Sequence, residues 1–393
     1  MRWPAERMGS QQAKSFGISA QAHQLQAAGA DIIHLAIGRP SDDTPHSIKL
    51  AAKHALDDGI VHYGDLQGEP ALREALAARY RREQNLPCGP ENILVTVGAT
   101  QAAFAACMAT LNPGDEAIVL QPFYPQHNSK IEFAGAHVRL AELQLRNGRF
   151  SIDPDAVERA ITASTKMLVL VNPANPTGTV FTLQELEALS RICVRHDILV
   201  LADEVYEYVV YDGREHISIA AMPGMWERTI TVSALTKAYA MDGWRIGYAV
   251  APAFMIRQLQ LVTSTSTTHP CVFAQVGGHS AVTEASVPRA QLVAEDRRRR
   301  DLVVRRLNEI PTIDCAAPEG TIFAFVDIRG FGLSSVDLAQ EILLQANVAV
   351  EPGSFYGPAG EGYLRICFGS EPYVRIEAAM DRISHFLARR SRG

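Results

Sequence analysis

The sequence predicts an α/β protein: a doubly wound, mainly parallel sheet with helices on both faces, joined to a smaller α+β part. Three observations carry this expectation. Short apolar, β-branched runs recur between residues 93 and 250. Helical stretches separate several of them. After about residue 290 the alternation gives way to a long charged helix and scattered strands.

In chain order, "ILVTVG" from residue 93 reads as the first buried strand, and "TQAAFAACMATL" as the helix that follows it. "AIVLQP" from 117 and "MLVLVNP" from 167 are the next strands. "TLQELEALSRICVRH" is a helix leading into the strand "ILVLADE" from 198, and "TITVSA" from 229 and "GYAVAP" from 247 complete the set. "NPGDE" and "NPANPTG" supply turns. Beyond 290 come the charged helix, "TIFAFVDI", a helix from about 335, "VAVEPG" and "YLRICFG". The first forty-odd residues lack regular β/α patterning and join this C-terminal part. The expected domains are therefore 49–289, large, and 1–48 with 290–393, small and discontinuous.

Composition narrows the function. The chain has 393 residues, a hydrophobic fraction of 47% and a formal net charge of −6, which gives no reason to expect nucleic acid or an anionic membrane as partner. No stretch has the length of a signal-peptide core or of a membrane span, so a cytoplasmic protein is expected. Six scattered cysteines without a CxxC pair suit reduced thiols. HExxH, Walker, GxSxG and GxGxxG motifs are all missing, and no metal site is expected. The basic run "EDRRRRD" at 295–301 reads as a solvated helix face.

In an open parallel sheet, ligands gather at the carboxyl ends of the strands. Polar residues there form a set. Gly98, Ala99 and Thr100 open a helix whose free N–H groups suit a phosphate, or serve as an ordinary cap. Tyr124 is placed to cover a flat ring, or is a loop aromatic between prolines. Asn175 and the stretch Asp203 to Tyr206 follow the next two runs. Asp203 ends an apolar strand and needs a partner if buried. Arg245 and Arg365 add positive charge that a buried core would not tolerate unpaired; each is a ligand cation, a surface cation or half of a structural ion pair. Lys237, in "SALTKAYAMDGWRIGY", has uncharged Ser233, Ala240 and Met241 at helical spacing; it is either a snorkelling lysine or a neutral amine able to attack a carbonyl.

"NPANPTG", "ADEVY" and the lysine followed by "AMDGWRIGY" resemble, in order and spacing, the fold-type I, pyridoxal-phosphate-dependent aminotransferases of class I/II. "LAIGRP", "HYGDLQGEPALREAL", "EPGSFYG" and "YLRICFG" extend the resemblance over nearly the whole chain. It implies a mainly parallel seven-stranded sheet between helices plus a smaller α+β domain. It also implies that Lys237 is the Schiff-base lysine and proton shuttle, that Asp203 pairs with the pyridinium nitrogen, and that Tyr206 and Asn175 bond the ring's phenolic oxygen. Ala99, Thr100 and Arg245 match phosphate anchors and Tyr124 the stacking aromatic. Arg365 matches the arginine that takes the α-carboxylate, with Gly38 and Asn175 nearby. Tyr63 matches a tyrosine that reaches the phosphate of the neighbouring subunit, which implies a homodimer with shared active sites.

Two departures stand out. Many relatives carry a phosphate-binding serine where this chain has Ala234, leaving Ser233 or Thr236 as stand-ins. Thr100 sits where some aspartate-specific relatives have a lysine for a distal carboxylate. With "YDGREHISIAAMPGMWERT", similar to the branch acting on aromatic amino acids, kynurenine or glutamine, this points to a neutral, aromatic or sulfur-containing L-amino acid as donor and a 2-oxo acid as acceptor. A carbon–sulfur β-lyase on the same fold is the alternative, and a non-catalytic sensor binding the cofactor a remote one.

Overall fold

A strand covered on both faces by helices has no solvated side, so its sequence loses polar alternation. The computed structural model, which describes residues 17–390 together with Trp3, Ala5 and Met8, shows this pattern in the central sheet. Its strands are β1 (Ile93–Val97), β2 (Glu116–Gln121), β3 (His137–Glu142), β4 (Thr165–Val171), β5 (Leu199–Asp203), β6 (Thr229–Ala234) and β7 (Ile246–Val250). They lie in the order β1-β7-β6-β5-β4-β2-β3. β7 alone runs against its neighbours. Every residue of β6 and β7 is buried.

Six of the seven strands coincide with apolar runs in the sequence. The seventh, β3, sits at the sheet edge with most of "HVRLAE" in contact with solvent, so it needs no apolar run. Helix α1 (Gly98–Thr110) follows β1 without a loop, and its alanines let it pack closely on the sheet. Helix α2 is Pro125–Phe133 and α3 is Leu183–Arg195. At the start of α3, the Thr182 and Glu185 side chains each accept from the other's backbone N–H, a capping box that satisfies two orphan donors.

The C-terminal part holds a three-stranded antiparallel sheet of Phe323–Asp327, Tyr363–Cys367 and Glu351–Pro352. The N-terminal segment is stitched into it. Ile33 and His34 pair in parallel with Val348 and Ala349, and Leu35 donates to Ala349 and accepts from Cys367, each at 2.8 Å. One apolar core accordingly gathers Ile18 to Ala36 with residues from Leu302 to Leu387, closed by Tyr206, Val209 and Tyr211. We propose this packing as the basis of the two-domain division; positions 1–16, apart from Trp3, Ala5 and Met8, and 391–393 lie outside the described residues.

Two features differ from expectation. A final helix, Tyr373–Arg390, buries Ile376, Ala379, Met380, Ile383, Phe386 and Leu387, a three-and-four spacing that the sequence reading did not single out. The arginine run on helix α4 (Ser286–Asn308) is not simply a solvated face. Arg297 and Arg298 are exposed, but Arg299 and Arg300 are buried. Arg299 pairs with Asp42 at 2.7 Å and Arg300 with Asp212 at 2.6 Å, so these cations tie the helix to two distant loops. Among the described residues no helix is long and apolar enough to cross a membrane.

Candidate active site

The carboxyl ends of β1, β2, β4, β5 and β6 share one edge of the sheet. Because β7 is antiparallel, the residue before it, Arg245, arrives at that same edge beside the end of β1, where Ile246 is opposite Val97. A cavity of about 760 Å³ opens there, and its lining includes Gly38, Ala99, Thr100, Tyr124, Asn175, Asp203, Tyr206, Lys237, Arg245 and Arg365. Nearly all the residues singled out from the sequence are thus brought together. Tyr63 is the exception: it is 91% exposed, its ring edge-on to His269, and lies outside the cavity.

At one end of the cavity, α1 begins at Gly98 with a left-handed φ of +74°. The Arg245 guanidinium lies so close that a side chain at 98 would overlap it, and Gly247 lets β7 approach the Ala99 amide equally closely. A helix N-terminus and a cation therefore share one small space. Arg245 itself has a positive φ, +58°, and donates to the Asp242 carbonyl at 2.8 Å. The two-residue period of β6 separates Ser233 from its neighbour Ala234. Ala234 lines the cavity and Thr236 does also, whereas Ser233 is fully buried and donates to Glu207 at 2.9 Å.

Deeper in, Asp203 ends β5 at 6% exposure, and its Oδ2 lies 2.8 Å from Nε2 of buried His127. Burial lowers the His127 pKa although the hydrogen bond to Asp203 opposes it. The carboxylate needs a donor, which assigns the proton to Nε2. Tyr124 and His127 meet edge to face at 5.4 Å on the first turn of α2. Burial raises the Tyr206 phenol well above its ordinary range, so it stays a hydrogen-bond donor.

Lys237 Nζ donates to the Gly38 carbonyl at 2.6 Å. Burial lowers its pKa, and the nearby charges of Arg365 and Arg245 act in the same direction, against Cys367 and Asp242. Arg365, 5% exposed, donates to Asn175 Oδ1 at 3.1 Å, the Ala36 carbonyl at 2.5 Å and Glu351 Oε2 at 2.7 Å, with its guanidinium 4.0 Å from the Phe323 ring. Its Nε is buried with no hydrogen-bond partner among the described residues.

The sequence reading passed over His127, Glu351 and Tyr356. His127 carried a usable signal, three residues after Tyr124 in "QPFYPQH"; Glu351 carried another, as the lone acid in "VAVEPG". These residues fit pyridoxal phosphate: an anion for a ring nitrogen, a cation with a helix N-terminus for a phosphate, a poorly hydrated amine for an aldehyde, and an arginine with an unused N–H at the far side.

Residues 30–383 match the family model of aminotransferase class I and II. An aspartate aminotransferase of Pyrococcus abyssi is 38% identical, with 92% of this chain and 93% of the relative covered. Aromatic-amino-acid aminotransferase 2 of Thermococcus litoralis is 37% identical over 91% and 92% of the two chains. The solved structure of Thermus thermophilus aspartate aminotransferase with maleate superposes with a TM-score of 0.92 at 38% identity, covering 98% of this chain and all of that one.

Proposed function

The chain belongs to the class I and II aminotransferases, fold-type I enzymes that use pyridoxal phosphate, and on that premise we propose that it moves the amino group of a neutral, aromatic or sulfur-containing L-amino acid to a 2-oxo acid by a ping-pong reaction. The observation that carries the mechanism is that Lys237, Asp203 and Arg365 line one cavity at the strand ends.

When bound, the cofactor supplies the electron sink that makes a substrate Cα–H acidic. The chain's residues do the rest. Ala99 and Thr100 at the start of α1, with Arg245, hold the phosphate, and Thr236 is the hydroxyl stand-in beside Ala234. Tyr124 covers a ring face. Asp203, fixed by His127, keeps a proton on the ring nitrogen, while Tyr206 and Asn175 donate to the phenolic oxygen. Arg365 takes the α-carboxylate, with Asn175 and the Gly38 backbone beside it. With the cofactor bound, Lys237 would be the residue that holds it between turnovers, and its free Nζ would be the base that takes the proton from the substrate Cα and delivers it to the cofactor carbon C4′ on the other side of the nitrogen.

The choice of donor follows the walls of the cavity. Phe123, Tyr124, Phe355 and Tyr356 offer apolar surface, and Glu132 and Glu351 oppose a second acid group on the ligand, while Lys130 on the same wall donates to the Gln126 carbonyl at 3.0 Å. Relatives named for aspartate and for aromatic amino acids are about equally similar, so they do not decide the matter. We further propose a cytoplasmic homodimer, consistent with six free cysteines and an outward-facing Tyr63.

A donor panel tests this reading. Purified holoenzyme is mixed with single amino acids, and formation of the aminated cofactor is followed by absorbance before any acceptor is added. Phenylalanine, methionine or glutamine should exceed aspartate in kcat/KM. A strong preference for aspartate overturns the substrate reading, and sustained turnover without a 2-oxo acid overturns transamination in favour of lyase chemistry.

A further inference from the structure

Glu351 is a buried acid set directly against the arginine assigned to the substrate carboxylate. Its two-residue strand pairs with that of Arg365 so that the two residues are cross-strand partners on one face. Glu351 is 4% exposed and lines the cavity. Its Oε2 accepts from Arg365 Nη2 at 2.7 Å and also from the Tyr356 hydroxyl.

The donor count on Arg365 shows what this does. A guanidinium has five N–H donors, two on each Nη and one on Nε. Both protons of Nη2 are committed, one to the Ala36 carbonyl and one to Glu351, while Nη1 gives one to Asn175. A carboxylate held two-pronged uses Nη1 with Nη2, or Nε with Nη2. Either geometry needs a proton from Nη2. An incoming carboxylate must therefore displace a bond already made, and Glu351 is the partner whose charge it duplicates.

We propose that Glu351 is a specificity-determining residue, an internal anion that occupies Nη2 of Arg365 and weakens the binding of ligand carboxylates, dicarboxylates most of all. This rests on Arg365 being the carboxylate receiver. Two like charges at one guanidinium repel, whereas a neutral amide at 351 keeps the shape and the hydrogen bonds without the charge.

The test uses holoenzyme and two carboxylates that lack an amino group, 3-phenylpropionate and maleate, with dissociation constants taken from the cofactor absorbance. Glu351→Gln should bind 3-phenylpropionate about 10-fold more tightly and maleate more tightly still, with KM for the amino donor falling more than kcat changes. Tyr356→Phe removes the second donor to Oε2, strengthens the hold of Glu351 on Arg365, and should shift both constants the opposite way. Unchanged or weaker binding in Glu351→Gln, or the same direction in both variants, overturns the proposal. Arg365→Gln separates its premise: if that variant still binds 3-phenylpropionate normally, the assignment of Arg365 fails instead.

Discussion

His127 Nε2 lies 2.8 Å from Oδ2 of Asp203, with both side chains almost wholly removed from solvent at the end of β5. The pair makes a desolvated anion that is held by a neutral ring, and its unspent charge faces the cavity. Asp203→Asn keeps the shape and removes the charge. It should slow the first half-reaction by roughly 10²- to 10³-fold. His127→Gln leaves the Asp203 charge in place and removes the ring that holds it and packs against Tyr124, and should cost less, about 10-fold. Single-turnover absorbance with one donor measures both, and a normal rate in Asp203→Asn removes Asp203 from the chemistry.

Ala234→Ser should restore an anion contact, because position 234 lines the cavity at the end of β6. A hydroxyl donating to a charged phosphate is worth about 1.5 kcal/mol or more, so the dissociation constant for pyridoxal phosphate should fall about 10-fold. Ser233→Ala is the contrast: its hydroxyl serves Glu207, so melting temperature should fall while cofactor affinity stays. Equal affinity of Ala234→Ser and the parent in a cofactor titration would count against this placement.

That contrast illustrates where sequence reading stops. The strand "TITVSA" was legible from its apolar, β-branched run, yet which of Ser233 and Ala234 faces the cavity depends on the register of β6 against its neighbours. The strand-end residues were legible for the opposite reason: a polar group that closes an apolar strand stays at the ligand edge whatever the register. Arg299 and Arg300 escaped because their partners, Asp42 and Asp212, lie far away in the chain. Edge strand β3 escaped because an exposed strand has no need of apolar residues.

A buried ion pair sets a pH dependence of stability. His216 Nε2 is 3.2 Å from Glu204 Oε2, and both side chains are at most 3% exposed. Burial alone lowers the His216 pKa; the charge of Glu204, helped by Glu207 and opposed by Arg79, more than reverses it, so the folded value is raised. A histidine of this kind stabilises fully below its unfolded pKa of about 6.5, and the contribution is lost as pH rises through the folded value. His216→Gln leaves Glu204 without its cationic partner, though still accepting from the Ser218 hydroxyl, and should cost about 3 kcal/mol at pH 6. The gap in melting temperature between parent and variant should narrow toward pH 9. A gap that stays constant with pH would mean His216 is neutral in the fold.

Tyr63 projects from the monomer at 91% exposure, in a stretch of chain whose Leu56, Ile60, Val61 and Leu66 are exposed as well. Large apolar side chains at such exposure are costly unless another surface covers them. A two-fold interface would do so, and would let each Tyr63 complete the phosphate site of the other subunit. A mixing experiment distinguishes this from a role within one chain. Lys237→Ala protein, inactive, is refolded together with Tyr63→Ala protein, impaired. In a mixed dimer with sharing between subunits, one site loses both residues and the other regains both, so activity rises above the sum of the parents. If subunits exchange, as labelled protein can verify, and activity only equals that sum, Tyr63 does not act across the interface.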